Sequence, residues 1–346
     1  MTNEHRLPYI DVGATSHLGL GLAVGEHLRD SIRAQCDKAL RLYLSHASKP
    51  SLMPVAERIV RQGSRVFPRY IEELRGMAEA ASVDLHDLVL TCVEESVMNT
   101  IRQRCTTIAV AQEARVLLGH NEDWAPGYED SLYVVQAEME DGRSFLSLAY
   151  TGSLPGSSVA LNSNGIAFSG NSILNSHQQG IPKNLILRSQ IEARTLEDFV
   201  DLATIEPRTI PNNTMAVDRA GRIVNIEMGL REHAVHHVAG GFAVHTNHVL
   251  SEELKHLDTV ERPCSKARRK TATEMLATSE PTKHLVKRIL RSHERWPYSV
   301  CLHAPSNNYD EAHTVASAIV DVSAMSLSVT KGPPCESEYV TYHLRN

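Results

Sequence analysis

The sequence changes from a helical to a strand-rich pattern in the stretch Arg102-Gln103-Arg104-Cys105-Thr106-Thr107-Ile108-Ala109-Val110 and in its continuation Leu117-Leu118-Gly119-His120-Asn121-Glu122-Asp123-Trp124. Before it, amphipathic patterns predict helices through most of the first hundred residues. After it, β-branched and apolar runs between turn residues predict strands. Cys105 stands at the changeover.

This stretch predicts a β-hairpin. Residues 106–111 and 116–120 have the composition of strands, and the polar residues between them predict a turn. A register centred on that turn sets Cys105 opposite Glu122 and brings Asn121 and Asp123 back beside the cysteine. A thiol, a carboxylate and an amide at one end of a sheet outline a cysteine-nucleophile site. A buried, inert cysteine at the start of a strand is the alternative.

The remaining chain alternates short strands with a few helices. The patterns predict strands at 132–139, 144–150, 213–217 and 223–228, and a strand pair at 316–322 and 325–330. They also predict a helix over 184–203 and a basic helical segment over 251–294. Helices followed by antiparallel sheets indicate an α+β fold. The Gly19-x-Gly21 pair before the first helix departs from the dinucleotide-binding fingerprint and indicates close helix packing instead.

Four motifs occur in a recognisable order: Cys-Thr-Thr at 105–107, Gly-His-Asn-Glu-Asp-Trp at 119–124, Leu-Asn-Ser-Asn-Gly-Ile-Ala at 161–167 and His-Thr-Asn-His at 245–248. With these motifs the sequence resembles the acyl-coenzyme A:6-aminopenicillanic acid acyltransferase family, the C45 peptidases, which are self-cleaving N-terminal-nucleophile hydrolases. The resemblance implies a four-layer αββα sandwich formed by a single domain, 1–346. It also implies cleavage between Arg104 and Cys105. The helical α-fragment 1–104 and the sheet-rich β-fragment 105–346 would remain together as a heterodimer.

The resemblance also implies roles for individual residues. Cys105 would be the nucleophile, Asp123 would orient its amine or thiol, and Asn247 would donate to the oxyanion. The implied substrate-binding residues are Thr106, Asn121, Trp124 and His245. Spacing alone favours a turn residue at position 247. The alternative interpretation of Asp123 is a solvated acid of the hairpin.

Two positions depart from the family pattern. The penicillin enzyme has glycine before its nucleophile, where this chain has Arg104. A larger residue is harder to place in the strained geometry of self-cleavage. An arginine is also expected in the late strand pair, but residues 320–331 contain none, so that role has no candidate.

Composition excludes several classes of function. The chain has 346 residues, a net charge of −6 and no basic block, which argues against a nucleic-acid partner. It has no apolar run long enough to span a membrane and no signal-peptide pattern, so we expect a cytoplasmic protein. Six cysteines without CxxC spacing indicate reduced thiols. His245 and His248 lack the helical spacing of a zinc site, so we expect no metal.

The sequence thus favours a cysteine amide hydrolase or acyltransferase acting on a small N-acylated amine or amino acid. Hydrolysis is favoured because water is always available, and no cofactor is expected. A coenzyme A thioester as acyl donor, with transfer to an amine, is the first alternative. A non-catalytic binding protein that keeps the same fold uncleaved is the second alternative, and the two departures support it.

Overall fold

The computed structural model describes residues 6–95, 105–112, 115–173, 177–239, 241–258, 260–304 and 312–345. Its helices are α1 His17–His27, α2 Arg29–Leu44, α3 Lys49–Val66, α4 Pro68–Ala81, α5 Leu85–Cys92, α6 Lys183–Gln190, α7 Leu196–Ala203, α8 Pro263–Ala277 and α9 Lys283–Leu290. Its strands are β1 Tyr9–Thr15, β2 Thr106–Gln112, β3 Arg115–Trp124, β4 Leu132–Met139, β5 Ser144–Tyr150, β6 Val159–Asn162, β7 Ala167–Ser172, β8 Asn212–Val217, β9 Arg222–Met228, β10 His233–Ala239, β11 Gly241–His245, β12 His313–Asp321, β13 Ser326–Lys331 and β14 Val340–His343. The predicted α+β class is confirmed.

The strands form two sheets. One has eight strands in the order β1-β4-β5-β6-β7-β8-β9-β10, and the other has six in the order β11-β2-β3-β12-β13-β14. The hairpin of β2 and β3 lies inside the six-stranded sheet, where Thr106 pairs with Asn121. This register extends to Cys105 opposite Glu122, as the sequence predicted.

Three hydrophobic clusters show how these elements pack. The largest joins the first helices to the eight-stranded sheet, for example Met77 of α4 and Tyr133 of β4. A second contains residues of both sheets, including Leu118 of β3 and Leu146 of β5. A third joins the six-stranded sheet to α8 and α9. Strand β2 contributes to the second and third clusters from its opposite faces, so its apolar run is continuous rather than alternating.

Helix α1 packs very closely on α4. A Cβ atom on Gly21 would lie 1.9 Å from the carbonyl oxygen of Glu73, and one on Gly25 would lie 2.5 Å from that of Met77. Any side chain at these positions would push the helices apart. Gly21 and Gly25 therefore serve close helix packing, as the sequence indicated for the Gly19-x-Gly21 segment.

Two details differ from the sequence-based expectation. The helix expected over 184–203 is divided into α6 and α7, because Thr195 caps a new helix by accepting a hydrogen bond from the backbone N–H of Asp198. Strand β10 was not expected, since its histidines obscure the period of two. Among the residues described, no helix is both long and apolar enough to cross a membrane.

Candidate functional site

The Cys105 thiol is fully buried just before the first residue of β2. Its Sγ donates a hydrogen bond to Glu122 Oε1 at 3.4 Å, across the hairpin. Glu122 Oε2 lies 3.2 Å from His120 Nε2, and His120 Nδ1 lies 3.0 Å from Thr107 Oγ1. Because side chains alternate along a strand, Cys105, Thr107, His120 and Glu122 share the face that is turned toward the eight-stranded sheet. The thiol is thus the end of a buried polar chain.

Electrostatic interactions among these hydrogen-bonded side chains keep the thiol neutral. Burial, together with the nearby carboxylates of Glu122 and Asp123, raises the pKa of Cys105 well above its ordinary value. Burial alone would also raise the pKa of Glu122, but the hydrogen bond and charge of His120 outweigh it and lower that pKa. The result is a protonated thiol that faces an ionised carboxylate, which is a proton donor paired with a base.

Arg268 of α8 approaches the cysteine from the opposite face of the six-stranded sheet. Its Nη1 donates to the carbonyl oxygen of Cys105 at 2.6 Å and to Thr106 Oγ1 at 2.7 Å, while its Nη2 donates to Asn247 Oδ1 at 2.6 Å. The same guanidinium lies 3.8 Å from Asp123 Oδ2, and both side chains are fully buried. One arginine thus joins three of the predicted site residues, Thr106, Asn247 and Asp123, to the backbone of Cys105.

Sequence reasoning missed Arg268. It looked for an arginine in the late strand pair, whereas the buried guanidinium at this site comes from the helix before it. The segment 251–294 was recognised as basic and helical, but nothing in that pattern distinguishes a buried arginine from the solvated ones around it. The local signal of an inward face is helical spacing: Cys264 and Ser265 lie four and three residues before Arg268, Thr271 and Ala272 lie three and four residues after it, and all four are buried on α8.

The contacts of Asn247 fix the orientation of its amide. A guanidinium can only donate, so the Asn247 atom that faces Arg268 is the oxygen. The Asn247 Nδ2 then donates one hydrogen to the carbonyl oxygen of Ser172 at 2.9 Å, and the backbone N–H donates to Ser265 Oγ at 2.7 Å. An amide nitrogen carries two hydrogens, so the Asn247 nitrogen has a second hydrogen to donate.

The structure brings Asp123, but not the side chain of Asn121, to the cysteine. Asp123 Oδ1 accepts a hydrogen bond from Thr314 Oγ1 at 2.6 Å. The hairpin places the backbone of Asn121 beside the cysteine, as expected. Its Nδ2, however, donates to the carbonyl oxygens of Leu290 and Val300 at 2.9 and 3.0 Å. Its amide therefore holds the chain around the end of α9 against the sheet.

His245 is fully buried beside Asn247 and is linked to Thr107 through Asn171. Asn171 Nδ2 lies 3.3 Å from His245 Nδ1, and Asn171 Oδ1 accepts a hydrogen bond from Thr107 Oγ1 at 3.1 Å. His245 Nε2 lies 2.7 Å from Glu227 Oε1, and His245 Nδ1 lies 2.7 Å from the carbonyl oxygen of Thr246. Burial would raise the pKa of Glu227, but its hydrogen bond with His245 lowers it to about 2. Two backbone N–H groups, of Leu250 and Ser251, also donate to this carboxylate. The network fixes the loop that carries Asn247.

A cavity of about 80 Å³ opens beside the hydrogen-bonded side chains that end at the Cys105 thiol. It is lined by polar and aromatic groups, namely Gln35, Thr91, Cys92, Glu94, Glu95, Trp124, Tyr128, Ser131, Tyr150, Thr151, Ser153, Ser157, Lys183 and Asn184. Burial, with the nearby carboxylate of Glu122, raises the pKa of Tyr150, so this wall of the cavity lies near the carboxylate that accepts a hydrogen bond from the thiol. Trp124 is the one predicted substrate-binding residue that lines this cavity.

The thiol chain also has the composition of a metal site. Cys105, His120 and Glu122 each offer a ligand atom, and these three atoms lie within 4.8 Å of one another. The hydrogen bonds just described already account for this arrangement. Arg104, the other side of the predicted cleavage site, lies outside the described residues.

Comparisons with known proteins place this chain in a family. Residues 110–335 match the sequence profile of the acyl-coenzyme A:6-aminopenicillanic acid acyl-transferase family. The β-alanyl-dopamine/carcinine hydrolase of Drosophila melanogaster is 30% identical over 155 residues, which span 38% of this chain and 40% of that protein. The 40 kDa form of acyl-coenzyme A:6-aminopenicillanic-acid-acyltransferase of Emericella nidulans is 22% identical over 332 residues, 90% of each chain.

Solved structures that are similar to this chain include a hydrolase and an acylase. A variant of the conjugated bile acid hydrolase from Clostridium perfringens has a TM-score of 0.45 and 12% identity, over 70% of this chain and 97% of that one. Penicillin V acylase from Agrobacterium tumefaciens has a TM-score of 0.44 and 11% identity, over 65% of this chain and 82% of that one. The family assignment depends on the sequence profile, which matches more than half of the chain. This protein therefore belongs to the acyl-coenzyme A:6-aminopenicillanic acid acyl-transferase family and is an enzyme of the amide hydrolase and acyltransferase class.

Proposed function

We propose that this protein is a self-processing cysteine enzyme that cleaves its own Arg104–Cys105 bond and then hydrolyses a small N-acylated amine or amino acid through an acyl-Cys105 intermediate. One observation carries the proposal. The Cys105 thiol contacts an ionised carboxylate, while the Cys105 carbonyl is held by a buried arginine that also orients Asn247. We also propose that the three-cluster packing is the four-layer αββα sandwich, formed by one domain.

Self-cleavage would begin at the thiol. Glu122 takes the Sγ proton, and Sγ attacks the carbonyl carbon of Arg104. The C–N bond to Cys105 then breaks, its nitrogen gains a proton, and a thioester to Arg104 results. Water hydrolyses this thioester, which frees the thiol and leaves Cys105 as the first residue of the β-fragment. The fragments 1–104 and 105–346 stay together because helices of the first pack on the eight-stranded sheet of the second.

Catalysis then uses the new terminus. The free α-amine of Cys105 has a reference pKa near 8 and accepts the thiol proton without a separate histidine. The thiolate attacks the substrate carbonyl, and the oxyanion receives a hydrogen bond from Asn247 Nδ2. Collapse expels the amine, which takes the proton from the α-ammonium, and water releases the acyl group from Cys105 in a second half-reaction. Asp123 and Arg268 hold these groups in place.

The cavity supports a small, partly polar substrate. Trp124, Tyr128 and Tyr150 supply aromatic surface, while Glu95 and Lys183 form an ion pair on the wall. The relative named as a β-alanyl-dopamine/carcinine hydrolase supports amides of small amines as substrates. Thr106, Asn121 and His245 would act behind the wall of the cavity, by holding the groups that do contact substrate.

The acyltransferase from Emericella nidulans supports one further activity, since its similarity extends over 90% of both chains. An amine could replace water as the acceptor of the acyl group. A coenzyme A thioester would then be the acyl donor.

The test is mass spectrometry of the fresh protein together with a screen of N-acyl amides, including β-alanyl amides, with and without acyl-coenzyme A. We expect two fragments that begin at Met1 and Cys105, and turnover that Cys105→Ala abolishes. Cys36→Ala serves as the control because Cys36 is buried in the cluster of the first helices, which does not include Cys105. An intact chain without turnover after long incubation would instead support the uncleaved binding protein.

A further inference from the structure

Four side chains with nitrogen and sulfur donors converge at a point outside the Cys105 site. They are His293, Cys301, His303 and Cys335, and one donor atom from each lies within 4.8 Å of all the others. His293, Cys301 and His303 lie on the segment that follows α9, and Cys335 lies after β13. The two parts of the chain are distant in sequence, so their convergence is a product of the fold.

We propose that these four residues bind a zinc ion in a Cys₂His₂ site. Zinc prefers four tetrahedral ligands, at about 2.3 Å for sulfur and about 2.0 Å for nitrogen. Such a tetrahedron has edges of roughly 3.3 to 3.8 Å between ligand atoms.

The distances between the donor atoms agree with this geometry. The two imidazole Nε2 atoms are 3.1 Å apart, and the two Sγ atoms are 3.5 Å apart. His303 Nε2 lies 3.6 Å from Cys301 Sγ and 3.2 Å from Cys335 Sγ. These four edges are within a few tenths of an ångström of those required. The other two edges, from His293 to each sulfur, are no longer than 4.8 Å, so a zinc ion at the centre would reach all four ligands after an adjustment of their side chains.

The surroundings also suit a structural metal. His303 Nδ1, the nitrogen left for a second partner, lies 3.6 Å from Glu336 Oε1. A carboxylate in this position orients a ligating histidine and strengthens its bond to the metal. Cys301 is buried and His293 is exposed, so the site has a protected inner side and a route for the ion to enter.

The site is connected to Asp123 by a short chain of hydrogen bonds. Leu302, between two ligands, donates its N–H to Thr314 Oγ1 at 2.9 Å and accepts from the Thr314 N–H at 3.0 Å. Thr314 Oγ1 in turn donates to Asp123 Oδ1 at 2.6 Å. A metal that fixes the 301–303 segment would therefore also fix Asp123. The zinc would act on catalysis through position, without contact with substrate.

The experiment measures metal in the full-length protein, purified under reducing conditions, stripped with a chelator and given zinc or cobalt ions. We expect one zinc per chain and, with cobalt, the near-ultraviolet absorption of a thiolate–cobalt bond. Both should persist in Cys105→Ala, which excludes the Cys105–His120–Glu122 group as the site. Both should be lost in the Cys301→Ser, Cys335→Ser double variant and retained in Cys264→Ser. Glu336→Gln should weaken zinc binding about 10- to 100-fold.

A second variant keeps the test decisive if the double-cysteine variant does not fold. His293 is exposed, so His293→Gln leaves the core intact and should still lower zinc affinity and alter the cobalt spectrum, while His284→Gln should not. Three results would overturn the proposal. They are no zinc bound by the reduced wild-type protein, one zinc retained in the double-cysteine variant, and loss of the metal in Cys105→Ala alone.

Discussion

Replacing Arg268 by lysine is the most direct test of how the site is organised. Lysine keeps the positive charge that Asp123 requires, but a single ammonium cannot reach the Cys105 carbonyl, Thr106 Oγ1 and Asn247 Oδ1 together. These three acceptors now lie 2.6, 2.7 and 2.6 Å from the guanidinium. Asn247 would lose the donor that fixes its oxygen, and its amide could then rotate away from the reacting carbonyl.

The expected size of the effect follows from the role of Asn247. Loss of one oxyanion donor costs about 3 kcal/mol of transition-state stabilisation, which is roughly a hundred-fold in kcat. Arg268→Lys should approach this loss with little change in KM, because the interaction acts mainly on the transition state. Arg268→Met removes the charge as well. It should add a loss of stability of about 3–5 kcal/mol, since Asp123 would then lack its buried cationic partner.

The assay is steady-state kinetics per cleaved active site, with the cleaved fraction measured by mass spectrometry and folding by thermal denaturation. Arg269→Lys is the matched control. Arg269 is the next residue on α8, and its Nε lies 3.3 Å from the Val244 carbonyl, away from the cysteine. Combining Arg268→Lys with Asn247→Ala should add little to the effect of Asn247→Ala alone, because both changes disable the same donor. Unchanged kcat in a well-folded Arg268→Lys protein, or fully additive effects in the double variant, would refute this reasoning.

Two further predictions concern the buried carboxylates. In Glu122→Gln the side chain cannot take the thiol proton, so self-cleavage should slow by about 100-fold. Turnover by the molecules that do cleave should change less. Faster self-cleavage would show instead that the only effect of Glu122 is to suppress the thiolate. The pKa of Glu227 is lowered to about 2 in the folded state, below its ordinary 4.5. Its contribution to stability is therefore complete above pH 4.5 and is lost as the pH falls through about 2. Between pH 5 and pH 3, the free energy of unfolding measured in urea should fall more in the wild type than in Glu227→Gln, as part of a total contribution on the order of 3 kcal/mol. Equal decreases in the two proteins would contradict this.

The hairpin was predictable because its determinants are local. Two strands joined by a short turn have one register that buries both apolar runs, and this register alone sets Cys105 against Glu122. The change from helices to strands at Cys105 was visible for the same reason, since the period of the apolar residues changes there. Asp123 follows from the register as well, because it lies two residues beyond Asn121, which pairs with Thr106.

Arg268 and the four-ligand cluster were not predictable, because tertiary packing alone defines them. Several arginines and lysines lie on α8, and only the packing of that helix over the end of β2 decides which one is buried. The zinc ligands have one residue between Cys301 and His303 and a long separation from Cys335. Zinc motifs are recognised by regular short spacings, so this set had no pattern to detect.

The two alternative interpretations of Cys105, as an inert buried cysteine and as a nucleophile, describe two stages of one molecule in the proposed sequence of events. Before cleavage, burial and two carboxylates hold the thiol proton, which limits reaction with anything except the adjacent peptide bond. Cleavage creates an α-amine on the same residue. Its ammonium form opposes the effect of the carboxylates on the thiol pKa, and its neutral form accepts the thiol proton. The buried environment therefore does not argue against catalysis; it makes the appearance of a general nucleophile conditional on self-cleavage.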